Sequence, residues 1–466
     1  MRDDRRNGLA RSGIIFALLT TAAAAHAQDA ATEVYLKPSI GDMRVRPGGS
    51  NVGGQVIVPT SSEVHPEDAG LRAHTHILVF APPIPRSAQP GATTQGAPGP
   101  LAGPASPQPV AGYFAETPAS LACVYGLVPV TTGCNANTLT TVVSGGSRAI
   151  AIVDAYDHPT ALADLQTYSS QFGLPAPNLT VVYQTGSAPP TDPTGGWEIE
   201  ESLDLDMVHA MAPNAHIYLI EANSNSNANL LASEDIASQK ISQAGGGEIT
   251  NSWGGPEFAG ETSLEFHFNS TANAVYVAST GDSPGTEWPS VSPNVVAAGG
   301  SSLSRNLDAN KTYRLDTGWE LGGGGPSAYF ARPSYQNALA SRIGSQRTVP
   351  DIAFDANPNT GVWVYCGAVC DPKNHVGGWY IIGGTSVASP ALAGIINSAG
   401  SFLSGSAAQL TRLYSHLSDP STIVDTQYGD CGPLVAYLTR VATPGNPLLQ
   451  YDACTGLGTP HGYGAF

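Results

Sequence analysis

The sequence predicts an α/β fold in which a mainly parallel sheet is covered by helices on both faces. Three observations predict it. Short, almost wholly apolar runs recur at residues 149–153, 216–220, 274–278 and 295–300, and a strand with no polar face is one buried on both sides. Segments of helical length separate these runs, as the crossovers between parallel strands require. The chain's 466 residues suffice for one large α/β domain with a smaller N-terminal piece.

Residues 1–27 read as a secretory signal peptide. Arg2, Arg5, Arg6 and Arg11 make a basic start, residues 13–25 are too short to span a membrane, and Ala25-His26-Ala27 is a small-x-small cleavage site. Cleavage is expected after Ala27, leaving a secreted or periplasmic protein. Arg5-Arg6 is similar to a twin-arginine start, but its flanks fit poorly. No later run of about 18 apolar residues follows, so no membrane partner is expected.

Residues 28–81 form a short β-rich region, a possible propeptide, in which residues 55–58 and 76–80 read as strands. His74-Thr75-His76 puts two imidazoles at i and i+2 of a strand. With no carboxylate or cysteine near them in sequence, the segment reads as solvated strand rather than metal site. Residues 82–112 hold nine prolines among Gly, Ala and Ser and read as a linker. The large domain is then residues 113–466. In it, residues 149–153 form a strand, 160–173 a helix ending on a glycine, 216–220 a strand, 229–244 a helix, and 274–278 and 295–300 the next strands. Functional groups in such sheets gather at the carboxyl ends of strands. Asp154, Trp253 and Asp282 all lie just after strand-like runs.

Composition narrows the function. Only 12% of residues are charged, the net charge is -17, and Gly (53) and Pro (37) abound, as in a loop-rich exported protein that stays soluble in mild acid. No basic stripe exists to meet nucleic acid. Six cysteines in an exported chain point to disulfides, and spacing favours the local pairs Cys123–Cys134, Cys366–Cys370 and Cys431–Cys454. None has the CxxC spacing of a zinc or redox site.

Three segments carry candidate chemistry. In Gly383-Gly384-Thr385-Ser386 the glycines allow a tight turn, and a small-residue apolar helix follows with Pro390 near its first turn. A serine held there is either a helix N-cap or an acyl-transfer nucleophile. In residues 198–211, read as a helix at about 100° per residue, Glu200, Asp204, Met207 and Met211 share a stripe roughly 60° wide. Glu201 lies about 100° away and Asp206 on the far side by the same count. Glu200 and Asp204 are then either a proton-sharing pair with raised pKa values or an acidic first turn favoured by the helix dipole. Asp282, in a glycine-rich strand end, is either a turn former or a neutral acid donating to an oxyanion.

Together these segments resemble one family. Ser386 alone also fits a subtilisin, whose Gly-Thr-Ser-Met-Ala-x-Pro is similar to residues 384–390. A subtilisin needs a histidine base before Gly-Thr, and none of the 11 histidines stands so. Glu200-x-x-x-Asp204 with Ala212-Pro213-x-Ala215, Ser252-Trp253-Gly254, Gly281-Asp282-Ser283, Pro350-Asp351-Ile352-Ala353 and Gly383-Gly384-Thr385-Ser386 instead resemble, in order, the motifs of the sedolisins. These are serine-carboxyl peptidases of subtilisin-like fold, and the resemblance covers residues 120–466.

The resemblance implies Ser386 as nucleophile, Glu200 as general base, Asp204 as its proton-sharing partner and Asp282 in the oxyanion hole. Asp154 would extend the acidic network, with Trp253 packed beside it. It also implies calcium near the C-terminus, on Asp425, Thr426 and Asp452, although Leu448 and Gln450 stand where relatives have glycines. The N-terminal region is much shorter than the folded propeptide of relatives. The expected protein is a monomeric, acid-active endopeptidase acting on polypeptides. A tripeptidyl-type exopeptidase and a non-catalytic binding relative are the alternatives.

Overall fold

The apolar run at residues 149–153 becomes the strand Ala149–Ala155, buried along its whole length inside an eight-stranded sheet. A computed structural model describes residues 55–81, 108–109, 115–130, 134–306, 313–370, 377–426, 429, 431 and 451–466. In spatial order the sheet runs Tyr313–Gly318, Val295–Asn306, Ala274–Ser279, Gly247–Asn251, Ala149–Ala155, His216–Ala222, Asn178–Tyr183. Every neighbouring pair is parallel except the first. Ile352–Asp355 adds to Val295–Asn306, again in parallel.

Alternate residues of these strands enter two different cores, because side chains leave a strand on opposite faces. Ile150, Ile152, Leu219 and Val277 share one core with the helices Gly196–Met211 and Thr385–Ala399. Ala151, Val153, Ile220 and Ala278 share the other with the helix Asn227–Gln243. Both faces are therefore dry, which is why the strands read as continuous apolar runs. The expected helix at 160–173 is Ala161–Phe172, closed by Gly173 at φ 70°, whose N–H donates to the Ser169 carbonyl. Asn178–Tyr183 was not among the expected strands. It lies at the sheet's edge with none of its residues fully buried, and polar Asn178 and Thr180 interrupt its apolar residues.

The strand order reverses next to Ala149–Ala155. From Ala149–Ala155 the chain goes to the edge strand Asn178–Tyr183 and returns through His216–Ala222 on one side, then builds outward from Gly247–Asn251 through Ala274–Ser279 on the other. The loops leaving the carboxyl ends diverge there and open a crevice. Asp154 stands at the end of one of the two central strands and Ser252 follows the other.

Residues 55–81 do not form a sheet of their own. Leu78–Ala81 lies between Gln55–Ile57 and Gly378–Gly383, and the latter pairs with Val362–Cys366. His74–Thr75 pairs antiparallel with Trp253–Pro256. The expected signal peptide at 1–27, residues 28–54 and, apart from 108–109, the expected linker at 82–112 lie outside the described residues, as do Leu448 and Gln450.

The three disulfides are Cys123–Cys134, Cys366–Cys370 and Cys431–Cys454, with Cα separations of 5.6, 6.1 and 5.4 Å. These are the local pairs that the spacing favours. Among the described residues no helix is long and apolar enough to cross a membrane.

Candidate active site

Ser386 is the second residue of the helix Thr385–Ala399. The turn before it needs glycine at 384, where φ is +108°. A Cβ there would stand 1.9 Å from the carbonyl oxygen of His76 and 2.6 Å from Asp282 Oδ2. Pro390 is the sixth helical residue, inside the helix rather than near its first turn as expected. Its ring nitrogen has no hydrogen to give the carbonyl four residues back, which is that of Ser386. Ser252 Oγ lies 3.5 Å from that carbonyl, on the donor side. Further along, Gly394 lets the helix approach Met211 of the neighbouring helix, whose Cβ a side chain at 394 would meet at 2.6 Å.

That neighbour, Gly196–Met211, carries the acidic segment. Asp192 caps it, with Oδ2 accepting from the N–H groups of Gly196 and Trp197 at 3.0 and 3.1 Å. All of its residues are buried, so Glu201 and Asp206 are as inaccessible as Glu200 and Asp204. Periodicity identified one buried stripe. The helix is in fact enclosed on all sides, between the sheet, the serine helix, Ala161–Phe172 and Val362–Cys366. Asp206 Oδ2 accepts from the Tyr365 N–H at 3.0 Å, and Glu198 Oε1 from the Asp192 N–H at 2.6 Å.

Glu200, Asp204 and Asp154 form one electrostatic unit. Burial, then the charges of Asp204 and Asp154, push the Glu200 carboxyl well up, and the Ser386 hydroxyl pulls it partly back. Burial also raises Asp204, opposed by Ser252 Oγ donating to Oδ1 at 2.6 Å. Asp154 is raised by burial and by the charges of Asp204 and Glu221. Three carboxyls that raise one another in this way titrate as a group. Ser386 Oγ donates to the Ser252 carbonyl at 3.2 Å, which holds the hydroxyl beside them. Trp253 donates from Nε1 to the Val153 carbonyl at 2.9 Å, tying its strand to the end that carries Asp154.

Asp282 sits on the other side of Ser386. Its Oδ1 accepts from the Thr385 N–H at 2.7 Å and the Thr385 hydroxyl at 2.9 Å. Burial pushes this carboxyl up to about 8 against those two bonds. In acid it is neutral, and Oδ2, which faces the space above Gly384, carries a proton to donate.

A strand of the chain itself lies across this crevice. His74 pairs with Gly254 and Thr75 with Trp253, while Leu78 pairs with Gly383 and Val79 with Ile382. Between the two pairings the Ser386 N–H donates to the His76 carbonyl at 3.2 Å. The solvated-strand reading of His74-Thr75-His76 is thereby overturned, since the two imidazoles are 8% and 1% exposed. The fold brings them a carboxylate from 211 residues away. Glu287 Oε2 is 3.1 Å from His74 Nε2 and 2.9 Å from His76 Nε2, and Ser279 Oγ is 2.5 Å from His76 Nδ1. Burial works to raise Glu287, but the charges of the imidazoles and their hydrogen bonds hold it well below the ordinary carboxylate range. Sequence reasoning missed Glu287. The available signal was two histidines on one strand face, which ask for a buried acceptor, and an acid five residues after Asp282.

No family model matches the chain. Kumamolisin of Bacillus sp. (strain MN-32) is 30% identical over 354 residues, 69% of this chain and 59% of that protein. Sedolisin of Pseudomonas sp. (strain 101) is 26% identical over 327 residues, 62% of this chain and 53% of that one. The solved structure of Pseudomonas sedolisin, a serine-carboxyl proteinase complexed with two molecules of pseudo-iodotyrostatin, matches with a TM-score of 0.58. It is 25% identical, and the match covers 74% of this chain and 95% of the solved one. The chain belongs to the sedolisin family. Its fold is the family's subtilisin-like α/β arrangement. It spans less than two thirds of the length of the curated relatives it matches.

In this sedolisin chain Asp425, which Thr426 follows in sequence, lies within electrostatic reach of Asp452. Asp452 Oδ1 accepts from the N–H groups of Cys454 and Thr455 at 2.8 and 2.7 Å. Burial, then the charge of Asp452, pushes Asp425 up to about 7, and burial pushes Asp452 up to about 6. Thr426 Oγ1 is buried with no hydrogen-bond partner among the described residues. A half-buried Asp425 raised by the charge of Asp452, beside an orphaned hydroxyl, makes a hard-oxygen donor set that fits a calcium ion.

Proposed function

We propose that this chain is a secreted, acid-active serine endopeptidase of the sedolisin type, working on polypeptides as a monomer. The observation that carries the reading is the position of Ser386. Its hydroxyl lies beside the buried Glu200–Asp204–Asp154 group, and its own N–H and Asp282 face a common point above Gly384. Glu200 takes the Ser386 proton as Oγ attacks a peptide carbonyl, and returns it to the leaving amine. Asp204 and Asp154 keep protons at hand, so that Glu200 gains and loses one without stranding a buried charge. The Ser386 N–H and protonated Asp282 donate to the oxyanion. Trp253 fixes the strand that lines one wall. Water then cleaves the ester.

Strand pairing on both sides of Ser386 supports an endopeptidase over a tripeptidyl-type exopeptidase, since a polypeptide can run through such a cleft. Asp425 and Asp452, with Thr426, are proposed to hold calcium, which would brace the C-terminal turn. Turnover of a mixed peptide library by wild type, and its loss in Ser386→Ala, tests the reading. A binding relative would show no turnover in either.

A further inference from the structure

The imidazoles of His74 and His76 and the carboxylate of Glu287 take no part in the chemistry proposed above, and their arrangement is that of a metal centre. His74, His76 and Glu287 each offer a ligand atom, and these atoms lie within 4.8 Å of one another. All three side chains are buried. Glu287 Oε2 stands 3.1 Å from His74 Nε2 and 2.9 Å from His76 Nε2. Ligand atoms bound to a tetrahedral zinc ion stand roughly 3.3 Å apart, so an ion needs only small side-chain shifts. The space around the cluster is kept by glycines. A Cβ at Gly254 would meet His76 Cε1 at 2.9 Å, and one at Gly281 would meet Glu287 Oε1 at 2.8 Å.

Two details favour an ion over a hydrogen-bonded cluster. His74 Nε2 is buried without a hydrogen-bond partner, although Glu287 Oε2 is close to it. A buried polar atom left so is unfavourable, and a bond to a metal would satisfy it. The second detail is the setting of His76. Its Nδ1 lies 2.5 Å from Ser279 Oγ, and that hydroxyl is placed to donate to the Asn251 carbonyl at 3.5 Å. With the serine hydrogen directed to Asn251, Nδ1 carries the imidazole proton and Nε2 turns a lone pair toward Glu287. Hydrogen bonds of this kind orient metal-binding imidazoles. A lone pair facing a carboxylate oxygen at 2.9 Å calls for a cation between them.

We infer that His74, His76 and Glu287 bind a divalent transition-metal ion, zinc by its two-nitrogen, one-oxygen donor set, with water in the fourth position. The inference does not depend on the peptidase reading. Calcium and magnesium prefer oxygen donors alone. No free cysteine competes for the ion among the described residues. The ion would join the strand His74–Thr75 to the segment Glu287–Trp288, which are far apart in sequence, and so stabilise the folded chain by mass action.

Full-length Ser386→Ala protein makes the measurement independent of turnover. It is stripped with chelator, freed of it, and titrated calorimetrically with zinc chloride at about pH 7, where the imidazoles are available as ligands. Excess calcium occupies the oxygen site proposed at Asp425. One equivalent of zinc should bind and raise the melting temperature. His74→Ala and Glu287→Gln, each checked for an unchanged fold without zinc, should weaken binding by about a hundredfold or more, and Ser279→Ala by about tenfold. His267→Ala, which alters an imidazole paired with Asp235 elsewhere on the chain, should leave it unchanged. Zinc-edge X-ray absorption of the protein with the three residues intact should show two imidazoles in the coordination shell. No zinc bound by the folded chain, binding unchanged in His74→Ala and Glu287→Gln, or a shell without imidazole overturns the inference. The last of these decides even where a variant fails to fold.

Discussion

The N–H of Ser386 donates to the carbonyl oxygen of His76 at 3.2 Å, so the amide of the proposed nucleophile is engaged by a residue from the N-terminal region. The contact exists because Gly384 has no side chain. Any Cβ there would fall on that same oxygen. Glycine before the serine thus keeps clear the point where a substrate carbonyl has to sit, and φ +108° makes the exchange for another residue unfavourable in any case.

Ser386→Ala should remove turnover by about 10³-fold or more, since no other group is placed to form the acyl-enzyme. Its effect on folding should be small. The side chain makes one 3.2 Å bond to the Ser252 carbonyl, worth about 1 kcal/mol. Turnover and melting temperature of the variant check this. Turnover close to wild type would reassign the nucleophile.

Stability should fall as pH rises from about 4 toward about 8. Burial holds Glu198, Glu248, Glu261 and Asp282 up at about 8 and Glu221 at about 9. A raised carboxyl keeps its proton in the folded chain while the unfolded chain has lost it. The unfolded state then binds fewer protons, and stability declines with pH through that window. His158, held down to about 3 by burial, acts in the opposite sense between that value and 6.5, but the carboxyls outnumber it. Melting temperatures measured across this range at constant ionic strength check the slope, and Glu221→Gln should flatten it. A melting temperature that rises through the window would contradict the assignment of these acids as neutral.

The sheet was legible in the sequence because strands dry on both faces are nearly free of polar residues. Ala149–Ala155 and Ala274–Ser279 announce themselves in this way. Asn178–Tyr183 does not, because its edge position leaves it partly wet. At the candidate site, the shared buried face of Glu200 and Asp204 was legible from helical periodicity, and the tight turn before Ser386 from its glycines. The burial of Glu201 and Asp206 was not, since periodicity finds one covered stripe and this helix is covered all round. Glu287 was hidden for another reason. Its partners stand 211 and 213 residues away, and their meeting depends on the N-terminal strand crossing the crevice.

Calcium should matter to stability more than to chemistry. The charge of Asp452 raises the proton affinity of the half-buried Asp425, a repulsion that a divalent cation would relieve. EDTA should lower the melting temperature and added calcium restore it, since an ion that binds only the folded chain stabilises it by mass action. Asp452→Ala should lower it similarly and make EDTA irrelevant. No response to EDTA, with no calcium in elemental analysis, would leave the two aspartates as turn residues.

The pH dependence of turnover separates the roles of Glu200 and Asp282. Glu200 must be ionised to accept the Ser386 proton, so the acid limb follows the first deprotonation of the Glu200–Asp204–Asp154 group. Asp282 must be protonated to donate, so the alkaline limb follows its loss of a proton near its value of about 8. Turnover should be bell-shaped with a maximum on the acid side of pH 7. Glu200→Gln should abolish it across the whole range, because an amide cannot take up the proton. Asp282→Asn should lower the plateau modestly, because an amide still donates, and should shift or erase the alkaline limb while leaving the acid limb in place. The deciding measurement is kcat/KM against pH for wild type and Asp282→Asn on one peptide. An alkaline limb identical in both would take Asp282 out of the oxyanion hole. A wild-type maximum above pH 7 would replace the Glu200 base with a group that titrates like histidine.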